Sequence, residues 1–313
     1  MHIDLKNDTM VEDFNKKIIH HPMVVTRKKI IGGRIMSLFE AIILGIVQGI
    51  TEFLPVSSSG HLALTQFILG TPEDQIFFLT VMLHIGTIFS VLVVYWTDLY
   101  NITLEFFKMC WDGIRGKGLG LENIYRRLGL LIIVGSIPTA LMGILLKDIF
   151  SEVYTSQRVI GFALLITGTL LWTSERMQRF QSNKKALKEM SWLNAVVIGI
   201  FQGLAITPGM SRSGSTISGA LFQGINKETA TRYSFLLSFP VILGATLLET
   251  REALTYGTGD ITLSMLFIGI FTSFLAGVFA IRTLIRMISR GRLYYFSYYT
   301  WTLGTGAIIL SFF

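Results

Sequence analysis

Residues 37–69 read SLFEAIILGIVQGITEFLPVSSSGHLALTQFIL, from Ser37 to Leu69. An apolar run carries Glu52 and breaks at Pro55. It passes Ser57, Ser58, Ser59, Gly60 and His61, then resumes as a second apolar run. An ionisable residue inside a membrane-grade segment marks a functional site by default. Here two lie within ten residues, around a hydroxyl-rich break.

The composition explains why these runs belong in lipid. Of 313 residues, 51% are hydrophobic and only 15% charged, against about 25% charged in a soluble domain. The mean hydropathy is +0.57. Ile261–Ile281 holds no charge and exceeds the roughly 20 residues that cross a hydrocarbon core. Because lipid leaves no partner for unpaired backbone groups, the chain reads as an all-α polytopic membrane protein. The net charge of +7 gathers in Lys- and Arg-rich segments between apolar runs, the pattern of cytoplasmic loops rather than of a nucleic-acid surface. A single cysteine, Cys110, excludes an intrachain disulfide and a multi-thiolate metal site; it reads as a small packing residue.

Residues 1–36 form a polar extension with seven Lys and Arg and no apolar signal-peptide core. Met36, at its end, is a candidate alternative start. The rest reads as one membrane domain over 37–313. Leu38–Leu54 and Ser57–Leu69 form a broken pair, and so do Trp192–Thr207 and Ser213–Phe222. Gln75–Trp96, Leu128–Leu146, Val159–Trp172, Thr229–Leu248, Ile261–Ile281 and Leu293–Phe313 are expected spans. Asp98–Arg127 reads as a polar loop with a short interfacial piece near Leu104–Trp111, and Ser174–Met190 as a basic loop.

The broken pairs resemble each other. Ala41–Gly49 (AIILGIVQG) matches Ala195–Gly203 (AVVIGIFQG), and Ser57-Ser58-Ser59-Gly60 matches Ser211-Arg212-Ser213-Gly214 at the same offset. The chain thus carries an internal repeat, about 37–150 and about 190–313. The basic residues in Asp98–Arg127, Ser174–Met190 and Arg282–Arg292 place these segments in the cytoplasm; Lys147–Arg158 and Glu249–Asp260 then lie outside. Each broken run is too short to span alone, which predicts two re-entrant hairpins entering from opposite faces, with tips meeting near the midplane. The basic residues of the N-terminal extension oppose this orientation.

Gln48 and Glu52 sit at i,i+4 and share one helical face. A carboxylate there serves as general base or divalent-cation ligand; the bland alternative is a buried Glu paired with Arg212. Ser57, Ser58 and Ser59 open a half-helix whose free N–H groups and positive dipole end suit an anion, although N-capping accounts for one serine. His61 falls one turn further on. His84 lacks such sequence neighbours and reads as structural. At the second tip, Thr207-Pro-Gly-Met-Ser211-Arg212-Ser213-Gly-Ser215, the Arg212 fork of donors suits phosphate. Glu52 and His61 come from one hairpin and Arg212 from the other.

Together, the Gln48-x-x-x-Glu52 helix, the FLPVSSSGH tip and the PGMSRSGST tip resemble the undecaprenyl-diphosphatase family, the bacitracin-resistance proteins, from about Ser37 to the C-terminus. Gln48 stands where the family admits Gln or Glu, leaving Glu52 as the main carboxylate. The resemblance implies hydrolysis of undecaprenyl diphosphate to undecaprenyl phosphate in the bacterial plasma membrane, recycling the carrier lipid of peptidoglycan synthesis. It also implies a divalent cation, Mg²⁺ or Ca²⁺, near Glu52, an outward-facing site, and bacitracin resistance when the protein is abundant. Phosphatidic-acid-phosphatase-type enzymes share an S-G-H tip but need a second S-R-x5-H run; Ser211-Arg212 leads instead to Ser218.

On this reading Ser58 attacks the terminal phosphorus or positions water, with Ser57 and Ser59 as competing nucleophiles. Glu52 acts as base or holds the cation, and His61 stabilises charge or protonates the leaving phosphate. Arg212, Ser211, Ser213, Ser57, Ser59 and Gln48 contact the substrate. The expected partners are a polyprenyl diphosphate lipid and the bilayer, without nucleic acid; a homo-oligomer is left open. The alternative is a transporter that flips a phosphorylated polyprenyl lipid.

Overall fold

A computed structural model describes residues 36–70, 73–146, 156–181, 184–256 and 261–312. Among them run eleven α-helices: α1 Leu38–Phe53, α2 Ser58–Leu69, α3 Glu73–Val94, α4 Trp96–Ile114, α5 Ile124–Leu145, α6 Gln157–Gln178, α7 Trp192–Leu204, α8 Arg212–Phe222, α9 Lys227–Tyr256, α10 Leu263–Ser289 and α11 Tyr294–Leu310. The described residues contain no strand, only a single bridge between Lys185 and Ile225. Helices α5, α10 and the Lys227–Arg251 part of α9 are long and apolar enough to cross a membrane, and α3 with α4 meets that test as a pair bent by 83°. The protein is an all-α, multi-pass membrane protein. The N-terminal extension before Met36 and the expected outer loop over 147–155 lie outside the described residues.

Local chemistry starts and stops the two broken pairs at the same repeat positions. Ser37 caps α1 by accepting from the Glu40 N–H, while the Glu40 carboxylate accepts from the Ser37 N–H at 2.6 Å. Ser191 caps α7 in the same way, with Asn194 in place of Glu40. Each box satisfies donors that a helix start leaves free. Leu54 ends α1 in an extended conformation, ψ 142°, as a residue before proline must. Gly70 and Gly224, equivalent in the repeat, both adopt positive φ where α2 and α8 have ended.

Packing is inside-out relative to a soluble bundle. On α10, Phe267, Phe271, Leu275 and Phe279 form an exposed strip, while Gly269, Ser273 and Gly277 face inward. Small inner residues let backbones approach where lipid supplies no hydrophobic drive. A methyl group added to Gly45 would sit 2.6 Å from the Gly269 carbonyl oxygen, and one added to Gly199 would overlap that of Gly135. Thus α1 packs on α10, and its counterpart α7 packs on α5. Gly199→Ala is expected to lower the thermal midpoint of the detergent-solubilised protein by several degrees, from about 1–3 kcal/mol of overpacking. Gly306→Ala, where the added methyl meets nothing within 4 Å, should leave the midpoint in place or raise it.

Three expectations need correction. Asp98–Arg127 is not mainly loop: α4 fills it as far as Ile114. Tyr100, Leu104, Phe107, Trp111 and Ile114 make an exposed apolar strip along one face. Asp98, Glu105 and Asp112 recur every seven residues on the opposite face. Glu105 and Asp112 pair with Arg126 at 2.9 and 2.8 Å, and Asp98 pairs with Arg232. Charges that looked like loop polarity are one side of a helix. Likewise α6 continues to Gln178, into the expected basic loop, because Glu175 and Gln178 are buried against the start of α11 and the end of α8 rather than solvated. Cys110 is exposed, not a packing residue, since it lies on the outer side of α4.

Candidate active site

The two tips meet through side chains 160 residues apart. Glu52, in the last turn of α1, is 8% exposed. Its Oε1 accepts from Arg212 Nη2 at 2.6 Å. Its Oε2 accepts from Ser58 Oγ at 2.8 Å and from Gln48 Nε2 at 3.1 Å. The i,i+4 spacing thus delivers Gln48 to Glu52, and the break at Pro55 folds Ser58 back onto the same carboxylate. Arg212 opens α8, so its guanidinium stands at the N-terminal end of that helix, beside the C-terminal end of α1.

The hydroxyls divide by role. Ser59 Oγ accepts from the Gly209 N–H at 3.3 Å, tying the first tip to the second, and lies 3.3 Å from Ser57 Oγ. Ser57 Oγ accepts from the Gly60 N–H at 3.4 Å. Ser211 and Ser213 are turned inward. Ser211 Oγ caps Gly214 N–H and sits 3.2 Å from Ser213 Oγ, and both residues are buried. The Ser211 N–H reaches Thr167 Oγ1 on α6 at 3.1 Å.

His61 does not turn toward Glu52. Its Nδ1 bonds the Ser57 carbonyl at 2.7 Å, and its Nε2 lies 2.6 Å from the Tyr299 hydroxyl of α11. The histidine that faces the carboxylate is His84 of α3, with Nε2 3.9 Å from Glu52 Oε2 and Nδ1 bonded to the Thr80 carbonyl. The reading of His84 as merely structural is therefore incomplete. An imidazole in an apolar run was its only sequence signal. Tyr299 carried none, because nothing in LYYFSYYTW sets one tyrosine apart.

The arrangement joins a hydroxyl to a carboxylate and sets a guanidinium and the starts of α2 and α8 around it. A nucleophile hydrogen-bonded to its base is the minimum for covalent attack, and fixed cationic donors are what phosphoryl transfer requires. Residues 41–306 match the family described as "Bacitracin resistance protein BacA". The chain belongs to the BacA family. It is 58% identical over 276 residues to the undecaprenyl-diphosphatase of Alkaliphilus metalliredigens, covering 88% of this chain and 99% of the relative. The corresponding protein of Halothermothrix orenii is 46% identical over 276 residues, with the same coverage. That of Methanosphaera stadtmanae is 42% identical over 280 residues, covering 88% and 99%.

The resemblance to this family implies a divalent cation, and the residues around Glu52 fit one of a particular kind. Among the described residues no three His, Cys, Asp or Glu side chains gather into a closed cage. The local donors are the Glu52 carboxylate, His84 Nε2 and the Gln48 side-chain oxygen, which is buried without a hydrogen-bond partner. Such a partial set suits an ion that takes one carboxylate and completes its shell with water and substrate phosphates.

Proposed function

We propose that this BacA-family chain hydrolyses undecaprenyl diphosphate to undecaprenyl phosphate and inorganic phosphate in the plasma membrane, at the junction of its two tips. The observation that carries the proposal is the hydrogen-bonded line Ser58–Glu52–Arg212, which joins a hydroxyl, a carboxylate and a guanidinium from both tips. The names of the relatives favour this reading over transport.

In the proposed reaction an oxygen nucleophile attacks the terminal phosphorus. Ser58 Oγ gives its proton to Glu52 as the Oγ–P bond forms and the bridging P–O bond breaks. Undecaprenyl phosphate leaves, and water then releases phosphate from the serine. Alternatively, Ser58 and Glu52 orient a water that attacks directly. Arg212 exchanges part of its contact with Glu52 for the phosphate oxygens, aided by free N–H groups at the starts of α2 and α8. Gln48 holds Glu52 in place; Ser57 and Ser59 shape the first tip, and Ser211 and Ser213 the second. A divalent cation, Mg²⁺ or Ca²⁺, held by Glu52 with Gln48 and His84 nearby, would supply charge neutralisation on the diphosphate.

The paired capping boxes, the matched positive-φ glycines and the exchanged packing of α1 on α10 and α7 on α5 support the reading of two inverted re-entrant repeats. Purified protein in detergent is expected to release phosphate from undecaprenyl diphosphate, and EDTA should abolish release until Mg²⁺ or Ca²⁺ is returned. A folded protein that releases none under any of these conditions would sink the proposal.

A further inference from the structure

The tip that carries the candidate nucleophile holds an unfavourable backbone. Ser57 has φ +72°, the only positive value at a non-glycine position among the described residues. Such a conformation costs free energy and persists only where its surroundings impose it. The Ser57 carbonyl accepts from the His61 backbone N–H at 3.4 Å and Ser57 Oγ from the Gly60 N–H at 3.4 Å, and the His61 ring links the same carbonyl to a residue across the molecule. The Ser57 carbonyl is an acceptor only, so the His61 Nδ1 that meets it at 2.7 Å carries the proton. In a neutral ring, Nε2 is then an acceptor, and the Tyr299 hydroxyl at 2.6 Å is its donor. The two rings also stack, with centroids 5.6 Å apart and planes 15° from parallel.

Tyr299 is itself fixed by the α6–α11 pair. Its neighbour Thr300 is buried, the Trp301 indole N–H donates to the Leu165 carbonyl at 3.2 Å, and Gly304 packs against the Gly161 backbone. The same α6 touches the second tip, through Thr167 to Ser211 and through Ile160 against Gly209. One helix pair therefore backs both tips, and Tyr299 is its hydrogen-bonding contact with the first, beside Ile160 near Gly60.

We propose that Tyr299 is a positioning residue: by donating to His61 Nε2 it fixes the Nδ1–H tautomer, and through the Ser57 carbonyl it holds the left-handed turn that aims Ser58 at Glu52. This deepens the proposed hydrolase and rests on that reading for its kinetic consequence. The latch itself does not depend on the reaction. His61 then acts through the backbone of the tip rather than as an acid toward the leaving phosphate.

Tyr299→Phe removes one oxygen from a half-exposed ring and leaves the stack intact. The test uses full-length protein labelled with ¹⁵N-histidine, with the His61 signals assigned by their loss in His61→Gln. Wild type should show a neutral ring protonated at Nδ1, and Tyr299→Phe should shift it toward the commoner Nε2–H form. In phosphate release from undecaprenyl diphosphate, Tyr299→Phe should lower kcat about fivefold to tenfold, the scale of one lost hydrogen bond, with KM held. Combined with His61→Gln it should cost nothing further.

A His61 ring protonated at Nε2 in the wild type, as a neutral or a charged ring, would overturn the latch. So would losses that multiply in the double variant, because Tyr299 would then act independently of His61. If wild type releases no phosphate, the hydrolase reading fails, and the ¹⁵N signals alone still decide the latch.

Discussion

Arg212→Ala is expected to lower phosphate release by about 10³-fold, the low end of what a charge-stabilising arginine supplies in phosphoryl transfer. Two losses coincide. The diphosphate loses a planar fork of donors. Glu52, 8% exposed, loses the cation 2.6 Å from its Oε1. Removing one partner of a buried pair costs about 3–5 kcal/mol, because the remaining charge is left uncompensated. The variant should therefore be less stable as well as inactive, and its rate must be normalised to folded protein. Arg212→Lys separates the two effects. It keeps a cation beside Glu52 and should restore the thermal midpoint, but a single ammonium cannot reproduce bidentate contact, so only part of the rate should return. Full activity in Arg212→Ala would remove the second tip from the site.

Glu52→Gln should have a comparable effect on rate, about 10³-fold, within the range for a lost general base, and a smaller effect on stability. The amide keeps the shape of the carboxylate and still offers an oxygen to Ser58 or Arg212. It loses the charge that takes a proton, and with it the anchor proposed for the cation. Arg212 is left without its carboxylate, but its side chain is 15% exposed against 7% for Glu52, so water relieves it more readily. The double variant Glu52→Gln with Arg212→Ala should be far less impaired than the product of the single losses, as for groups acting as one unit. Independent, multiplying losses would place the two residues in separate sites.

Glu52, Ser58 and Arg212 were legible because each broke a local rule. A carboxylate and a guanidinium stood in apolar runs, and serines stood at helix breaks, where ordinary packing does not require three of them. The repeat reinforced this by aligning Ser58 with Arg212. The same logic misread α4, since a helix with charges every seven residues on one face has the composition of a polar loop. It undervalued His84, because the neighbour that matters comes from α1 and not from the surrounding sequence.

By itself, then, the sequence determined the class of the protein, the breaks and the chemical groups at the tips. Apolar run length, proline placement and capping residues act within a few positions of the chain. Only the tertiary structure decided which groups meet. It turned His61 away from Glu52 toward Tyr299, brought His84 within 3.9 Å of Glu52, and buried Ser211 and Ser213. These outcomes depend on helix pairs whose closeness is set by glycines on facing backbones, an interaction between segments about 60 to 220 residues apart that no local pattern encodes.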